Sequence, residues 1–195
     1  MPQALAEQGW YCCDAFIDAT LVRELQHEAA TRFAHGELKA GAVGAGVGRA
    51  RRPDVRGDEI SWLMEDGSPV TGAIDERFEA LRLAINRELM LGLFEHEAHF
   101  ARYAPGTFYT RHVDTFADRS SRVVSTVLYL NEDWREEEGG ALRLYLDDAP
   151  ARHLDFLPRA GRLITFMSAR FPHEVLPARR ERWSLTGWYR TRELT

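Results

Sequence analysis

The chain has 195 residues, a formal net charge of −5 at pH 7 and a hydrophobic content of 45%. This length and composition predict one globular domain with a sizeable core. The acidic balance argues against a nucleic-acid-binding protein, which would normally carry a basic face. No apolar run approaches the roughly 20 residues that a membrane span requires, so no membrane association is expected.

The cysteine content indicates a reducing compartment. The two cysteines, Cys12 and Cys13, are adjacent. Neighbouring residues rarely close a disulfide, so both thiols are expected to be free packing residues. Residues 1–9 also lack the basic segment and apolar stretch of a secretory signal. We therefore expect a cytoplasmic protein.

Two helices are predicted in the first half of the chain, after a short apolar strand at residues 10–17. Asp18 can cap the first helix, whose buried stripe is Leu21, Leu25, Ala29 and Phe33. Ser68 and Pro69 open the second helix, whose apolar positions recur at helical spacing: Ile74, Phe78, Leu81, Ile85 and Leu89. These helices are expected to support the back of a sheet.

The segment 36–56 between the helices has no periodicity and is rich in glycine and arginine. A phosphate-binding loop is one interpretation, but Arg49 stands where the last glycine of G-x-G-x-x-G belongs, and no strand leads in. We interpret the segment as a mobile loop. The alternating residues 59–64 that follow predict a strand.

From residue 94 onward the pattern is typical of β-structure. Residues 94–103 alternate, so His99, Ala101 and Tyr103 share one face of a strand and His96 lies on the other. Further short strands are predicted at 123–131, 141–146, 153–156, 162–167, 174–176 and 184–190. Many short strands separated by turns predict a sandwich or barrel. The acidic run 136–138 before two glycines could bind a metal, but we interpret it as solvated.

A metal site is predicted around His112 and Asp114. In an extended strand residues i and i+2 point to the same face, so the imidazole and the carboxylate converge. A remote histidine would complete the two-histidine, one-carboxylate set of non-haem Fe(II) oxygenases, which leaves three coordination positions open. His173 is the candidate. The same ligand types also suit zinc or manganese.

Arg182, nine residues after His173, adds a second feature to this site. A guanidinium binds a carboxylate in bidentate fashion, so Arg182 could hold the distal end of a dicarboxylic co-substrate whose other end chelates the metal. A hydrolytic zinc site would not require such an anchor, which favours iron. Thr186 shares the face of Arg182 and Ser184 on a strand and could add a hydrogen bond.

Six segments together resemble the Fe(II)- and 2-oxoglutarate-dependent prolyl 4-hydroxylases of the hypoxia-inducible-factor type, in a bacterial form. These segments are 55–62, 112–114, 129–134, 139–143, 172–175 and 182–189. The resemblance implies a mainly β (α+β) fold, with a double-stranded β-helix (jelly-roll) core buttressed by N-terminal helices. It implies a single domain over residues 1–195, in which 1–93 give helical support and a substrate-covering loop and 94–190 form the catalytic core.

The resemblance also implies the cofactor and co-substrates. Fe(II) would be the metal, and 2-oxoglutarate would chelate it and place its 5-carboxylate on Arg182 and the Tyr129 hydroxyl. Tyr103 would line this pocket. His99, on the same face, is then either a pocket or second-layer residue or a hydrogen-bonded core histidine. O2 is the other co-substrate, and ascorbate is expected to stimulate the reaction.

The implied reaction is trans-4-hydroxylation of a proline in a protein, with release of succinate and CO2. The positions that match those around the prolyl peptide are Arg56, Asp58, Arg122, Arg170 and Trp188. Met167 stands where the animal enzymes carry a tryptophan, and the segment 104–106 is shorter, so the target peptide is expected to differ. For a bacterial member the resemblance implies a translation factor such as elongation factor Tu as the partner, and a role in oxygen sensing.

Three other functions remain open at this point. The protein could be a 2-oxoglutarate oxygenase that acts on a free amino acid or another small molecule. It could be a non-catalytic module that reports iron or oxygen to a partner. A jelly-roll zinc hydrolase or isomerase, active without O2, is the third. The loop 41–52 and the arginines at the pocket mouth favour a peptide substrate.

Overall fold

The computed structural model of the protein describes residues 1–42, 50–63, 68–115, 121–147 and 152–192. These residues form three α-helices: α1 (Pro2–Gln8), α2 (Ala19–Ala34) and α3 (Pro69–Leu89). They also form eleven β-strands: β1 (Trp10–Cys13), β2 (Lys39–Ala40), β3 (Asp58–Trp62), β4 (Glu95–Tyr103), β5 (Tyr109–His112), β6 (Arg122–Tyr129), β7 (Leu142–Tyr145), β8 (His153–Phe156), β9 (Leu163–Met167), β10 (His173–Val175) and β11 (Arg182–Arg190). The predicted strand series is confirmed, with ends that shift by at most four residues.

The strands form two antiparallel sheets. The larger has the order β1-β9-β6-β11-β4-β3-β2 and the smaller the order β5-β10-β7-β8. Apolar side chains of both sheets share one buried cluster, which includes Val127 and Ile164 of the larger sheet and Leu144 and Val175 of the smaller. The sheets therefore face each other, as the predicted jelly-roll requires.

The helices cover the outer face of the larger sheet. A second buried cluster joins Leu25 of α2 and Phe78 of α3 to Phe100 of β4 and Leu185 of β11. The carboxylate of Asp18 accepts hydrogen bonds from the first backbone amides of α2, as predicted. Helical support of the back of the sheet is confirmed. None of the helices in the described ranges combines the length and the apolarity that a membrane crossing needs.

Some details of the N-terminal half differ from the prediction. Phe33 is 40% exposed instead of buried, because the last turn of α2 leaves its ring free to pack on the guanidinium of Arg102, 4.0 Å away. The first strand ends at Cys13 instead of residue 17. The short helix α1 was not predicted. Cys12 and Cys13 are free thiols, and burial raises the pKa of Cys12 to about 11, so it is a poor nucleophile.

Only part of the predicted mobile loop can be compared with the structure. Residues 43–49 of this loop, and residues 64–67 at the end of the predicted strand 59–64, lie outside the described residues. On either side of the gap the chain is paired: β2 joins the edge of β3, and Arg56 forms a β-bridge with Tyr109. This bridge links the larger sheet to the first strand of the smaller one.

Candidate metal centre and co-substrate pocket

A cavity of ≈ 390 Å³ lies between the two sheets. Its lining includes nearly all of the residues that the sequence singled out. It is lined by the predicted metal ligands His112, Asp114 and His173 and by Arg182. Tyr103, His99 and Thr186 of the larger sheet also line it. Most of the predicted site residues are therefore brought together in one hollow, whereas Tyr129 and Arg170 are not part of its lining.

The two histidines meet because of strand register. His112 of β5 lies opposite His173 of β10 in an antiparallel pair. Asp114 follows β5 in a bend instead of continuing the strand, but its carboxylate still reaches both rings: Oδ1 lies 3.7 Å from His112 Nε2 and Oδ2 lies 3.5 Å from His173 Nε2. The three ligand atoms all lie within 4.8 Å of one another, and this is the one such metal-binding group in the described part of the chain.

The hydrogen bonds of the two rings direct Nε2 toward the shared gap. His112 Nδ1 lies 2.8 Å from the Thr110 carbonyl oxygen, and His173 Nδ1 lies 3.0 Å from that of Phe171. A carbonyl oxygen only accepts, so Nδ1 carries the proton in both rings and Nε2 keeps its lone pair. This second-layer arrangement is common for metal-binding histidines.

The protonation states also suit a divalent cation. Burial, reinforced by the nearby His173, lowers the pKa of His112, so this imidazole is neutral at neutral pH. Burial opposes ionisation of Asp114, but the two histidines and the hydroxyl of Ser125 lower its pKa below the usual value. Two neutral imidazoles and one carboxylate are the donor set that non-haem Fe(II) uses. The residues present therefore fit this metal.

Aromatic packing holds the two histidine rings, and the sequence did not reveal it. The ring of Tyr109 stacks on His112 with centroids 3.6 Å apart, and Phe166 meets His173 edge-on at 4.8 Å. The guanidinium carbon of Arg56 also lies over the Tyr109 ring, 4.9 Å from its centre. The β-branched and aromatic character of these strands predicted burial, but not which rings would meet.

A buried guanidinium also lines the cavity. Arg182 is 1% exposed, and its Nε donates to the Gly140 carbonyl oxygen at 2.9 Å. Its guanidinium carbon lies 5.1 Å from the Tyr103 ring and 5.0 Å from the Tyr129 ring. Arg182 Nη2 and the Tyr129 hydroxyl are buried without a hydrogen-bond partner among the described residues.

These two unpartnered donors define an anion site. A buried charge without a counter-ion is strongly unfavourable, and none of the ion pairs between described residues includes Arg182. Burial raises the pKa of Tyr129 to about 12, so its hydroxyl stays a neutral donor. A guanidinium N–H and a phenol O–H together suit a carboxylate. The residues therefore fit the distal carboxylate of 2-oxoglutarate.

The Gly139-Gly140 pair shapes this anion site. Gly140 has a φ of +70°, and a Cβ at this position would lie 2.8 Å from Ala178 Cβ and 3.4 Å from Arg182 Cδ. The preceding acidic run behaves as interpreted from the sequence: Glu136 and Glu137 are exposed, and Glu138 pairs with Arg180 at 3.0 Å.

Two of the arginines that line the cavity form ion pairs. Arg56 binds Asp58 through two bonds, Nε to Oδ1 at 2.5 Å and Nη2 to Oδ2 at 2.8 Å. Arg122 binds Glu97 at 2.8 Å, and its guanidinium lies 3.6 Å from the Trp188 ring. Arg56, Asp58, Arg122 and Trp188 all line the cavity, as their predicted contact with substrate requires.

His99 satisfies both interpretations made from the sequence. It lines the cavity and is 2% exposed. Its Nδ1 lies 3.2 Å from the Phe100 carbonyl oxygen, and its ring meets Trp62 edge-on at 4.9 Å. Burial lowers the pKa of His99 to about 4, so the ring is neutral at neutral pH.

Arg170 is the one predicted substrate residue that the structure does not bring into the cavity. Its side chain is exposed and packs on the ring of Phe171, 5.1 Å away, next to Gly9. Proximity to His173 in the sequence did not place Arg170 in the pocket, because the turn before β10 directs it outward. Arg170 is therefore not a lining residue of the cavity, and its role in binding the peptide stays a prediction.

Fold and site together define a jelly-roll protein with a two-histidine, one-carboxylate metal centre and an adjoining carboxylate site. Residues 98–190 match the family described as the 2OG-Fe(II) oxygenase superfamily. The human protein named Prolyl hydroxylase EGLN3 is 30% identical over 199 residues, which cover 95% of this chain and 80% of that protein. Other curated relatives are longer, and the chain spans only 27% to 35% of the length of three of them.

Two solved structures are similar over almost the whole chain. A Pseudomonas putida prolyl-4-hydroxylase is 44% identical with a TM-score of 0.88, over 98% of this chain and 97% of that one. A Trichoplax adhaerens prolyl hydroxylase, in complex with a peptide fragment of the hypoxia-inducible factor oxygen degradation domain, is 25% identical with a TM-score of 0.86, over 97% and 86%. The chain therefore belongs to the 2OG-Fe(II) oxygenase superfamily, among the prolyl hydroxylases of the hypoxia-inducible-factor type. Fe(II) is its expected metal and 2-oxoglutarate its expected co-substrate.

Proposed function

We propose that the protein hydroxylates a prolyl residue of a protein substrate at the trans-4 position, with 2-oxoglutarate and O2 as co-substrates and succinate and CO2 as products. One observation supports this most directly. A single cavity is lined by a complete metal-ligand set and by Arg182, whose unpartnered N–H lies beside the unpartnered hydroxyl of Tyr129. A keto-diacid that chelates the metal and is anchored at its far end matches this arrangement.

In this proposal each residue has a defined task. His112, Asp114 and His173 hold Fe(II), which supplies the redox chemistry between O2, 2-oxoglutarate and the substrate. Arg182 and Tyr129 bind the 5-carboxylate of 2-oxoglutarate. Tyr103 packs on the Arg182 guanidinium and closes that end of the pocket, which keeps water away from the carboxylate pair. Thr186, whose Oγ1 lies 3.3 Å from Ser184 Oγ, contributes a further polar contact on the same wall.

The peptide is proposed to enter on the side of Arg56, Arg122 and Trp188. The indole of Trp188 and the ring of His99 offer an aromatic wall, with centroids 5.6 Å apart, and proline packs well on aromatic surfaces. Arg56 and Arg122 lie beside it, where they can donate hydrogen bonds to backbone carbonyls or acidic side chains of a peptide. The complex of the similar Trichoplax prolyl hydroxylase with a peptide fragment of the hypoxia-inducible factor oxygen degradation domain supports a peptide as the substrate.

A more specific part of the proposal concerns the protein substrate and the biological role. We propose a cytoplasmic protein such as elongation factor Tu as the first target to test, with oxygen sensing as the biological role and ascorbate as a stimulant. Free adjacent thiols support a reducing compartment.

We also propose that residues 1–195 act as one domain, with 94–190 as the catalytic core and 1–93 as its helical support and covering loop. Strands β1 and β3 support this, because they belong to the same sheet as β4.

Mass spectrometry of a host proteome, with and without the enzyme, tests the proposal. The expected result is a mass gain of one oxygen atom on a proline, dependent on O2 and coupled to succinate formation from 2-oxoglutarate. Oxidation of a free amino acid with no modified protein would support the small-molecule alternative. No succinate with added Fe(II) would support a non-catalytic module, and turnover without O2 would support a hydrolase or isomerase. Deletion of residues 41–52 should lower protein hydroxylation if the loop covers a peptide.

A further inference from the structure

One ligand of the proposed metal set is held differently from the other two. His112 and His173 are fixed twice, by the pairing of β5 with β10 and by a carbonyl bond on each ring. Asp114 lies two residues beyond the end of β5, and none of the strand pairings between described residues includes it. The position of its carboxylate therefore depends on side-chain contacts.

Ser125, on β6 of the opposite sheet, provides this contact. Its Oγ lies 2.6 Å from Asp114 Oδ2 and 2.9 Å from Ser168 Oγ. Ser125 is 1% exposed and Ser168 is fully buried. Water cannot compete for these hydroxyls, and hydrogen bonds in such surroundings are stronger than at a surface. A side chain of the larger sheet thus fixes a metal ligand that follows a strand of the smaller sheet.

The chemistry of the three groups determines the direction of both bonds. An ionised carboxylate only accepts hydrogen bonds, so Ser125 must donate its one hydroxyl proton to Asp114. Ser125 Oγ therefore accepts a hydrogen bond from the Ser168 hydroxyl. The backbone amide of Ser168 donates to the Val123 carbonyl oxygen at 3.0 Å, which anchors this serine at the end of β9. Ser168 therefore orients Ser125, and Ser125 orients Asp114.

We propose that Ser125 and Ser168 are positioning residues that hold the Asp114 carboxylate beside the Nε2 atoms of His112 and His173 before a metal binds. Without these hydroxyls, the carboxylate would have to be ordered when the metal binds, and this cost lowers the affinity. This inference rests on the proposed function of the metal centre.

Binding of Mn(II) to the metal-free protein, followed by the electron paramagnetic resonance signal of free Mn(II), tests this without any turnover. Ser125→Ala should weaken Mn(II) binding by about 10- to 100-fold, the range typical of residues that orient metal ligands. Ser125→Thr keeps the hydroxyl and should retain the affinity. Ser125→Cys, which keeps the size but donates weakly, should lose it. Ser168→Ala should cause a smaller loss.

The double variant distinguishes a relay from two separate effects. Because Ser168 acts through Ser125, Ser125→Ala with Ser168→Ala should bind Mn(II) no more weakly than Ser125→Ala alone. Additive losses, or an unchanged affinity in Ser125→Ala and Ser125→Cys, would overturn the inference. Ser61→Ala is the matched control, since Ser61 is a buried strand serine whose side chain does not line the cavity. It should leave Mn(II) binding unchanged.

Asp114→Ala separates this inference from the function on which it rests. Loss of Mn(II) binding in Asp114→Ala, with full affinity in Ser125→Ala, would refute the role of the serines and leave the metal site intact. Full Mn(II) affinity in Asp114→Ala would refute the metal assignment itself. Thermal unfolding of each metal-free variant shows whether a loss of affinity reflects a loss of fold.

Discussion

The guanidinium carbon of Arg182 lies 5.0 Å from the centre of the Tyr129 ring, and each of these two side chains has a buried donor that no described residue satisfies. Native proteins rarely leave such donors unpaired, and each unsatisfied buried group costs about 1–3 kcal/mol. Two of them side by side, one on a residue that lines the same cavity as the metal-ligand set, indicate a place for a ligand carboxylate.

Replacing Arg182 by lysine should weaken 2-oxoglutarate binding. Lysine keeps the charge but loses the planar fork that binds both carboxylate oxygens. Loss of a charge-assisted hydrogen bond of about 1.5–3 kcal/mol corresponds to an increase of roughly 10- to 100-fold in the KM for 2-oxoglutarate. Succinate formation at varied 2-oxoglutarate concentration measures this. Arg180→Lys is the control, since Arg180 pairs with Glu138 on the outside. Equal KM values for the two variants would remove Arg182 from this role.

Asp114→Ala should abolish turnover. The substitution removes the one anionic ligand, whose oxygens lie 3.7 Å and 3.5 Å from the Nε2 atoms of His112 and His173. Two neutral imidazoles alone bind a hard divalent cation weakly. Succinate release with saturating Fe(II) and 2-oxoglutarate should fall to background. Asp155→Asn, at an exposed ion pair with Arg143, should leave it unchanged. Substantial turnover in Asp114→Ala would refute the ligand assignment.

The metal-ligand set could be predicted because its geometry is mostly local. His112 and Asp114 are two residues apart, and His173 was the remaining histidine that a matching segment offered. Arg182 followed from the chemistry of a carboxylate anchor. The sequence also predicted most of the strands and both long helices, since their apolar periodicity is regular.

Contacts between the two sheets could not be predicted. The bond of Ser125 to Asp114 depends on how β6 faces the end of β5 across the cavity. The stack of Tyr109 on His112 lies within β5, where the pairing with β10 shifts register. The spacing of residues along the sequence does not show which side chains will meet in this way. The exposure of Phe33 and the outward direction of Arg170 could not be predicted for a similar reason. Periodicity describes one helix or strand by itself and does not show which other parts of the protein cover it.

Asp58→Asn should destabilise the protein and weaken peptide binding. Asp58 is 2% exposed and forms two bonds to Arg56, so its neutralisation leaves a buried guanidinium unpaired. Breaking a buried pair in this way costs about 3–5 kcal/mol. Urea unfolding measures the loss, and the KM for a prolyl peptide should rise. Arg52 and Asp54 form the same two-residue-spaced pair on the surface. Asp54→Asn should therefore have no measurable effect, and an equally small effect at Asp58 would contradict this account.

Gly140→Ala should lower stability and weaken 2-oxoglutarate binding together. The backbone there has a φ of +70°, and a Cβ would meet Ala178 at 2.8 Å and press on Arg182. The left-handed conformation alone costs an alanine about 1–2 kcal/mol. Gly36 has a φ of +72° with no atom near its Cβ position. Gly36→Ala therefore isolates the backbone strain. Thermal unfolding should show the larger loss at Gly140, and only Gly140→Ala should raise the KM for 2-oxoglutarate.

Stability should fall as the pH decreases from neutral, and His99 should account for part of this loss. Burial lowers its pKa to about 4 in the folded protein, whereas an unfolded histidine has a pKa of about 6.5. Between these values the unfolded chain binds the additional proton, so protonation favours unfolding by up to about 1.4 kcal/mol per pH unit. His99→Phe removes this contribution and should reduce the slope of unfolding free energy between pH 6.5 and 4.5. The same slope in His99→Phe as in the unmodified protein would show that His99 is not held neutral in the cavity wall.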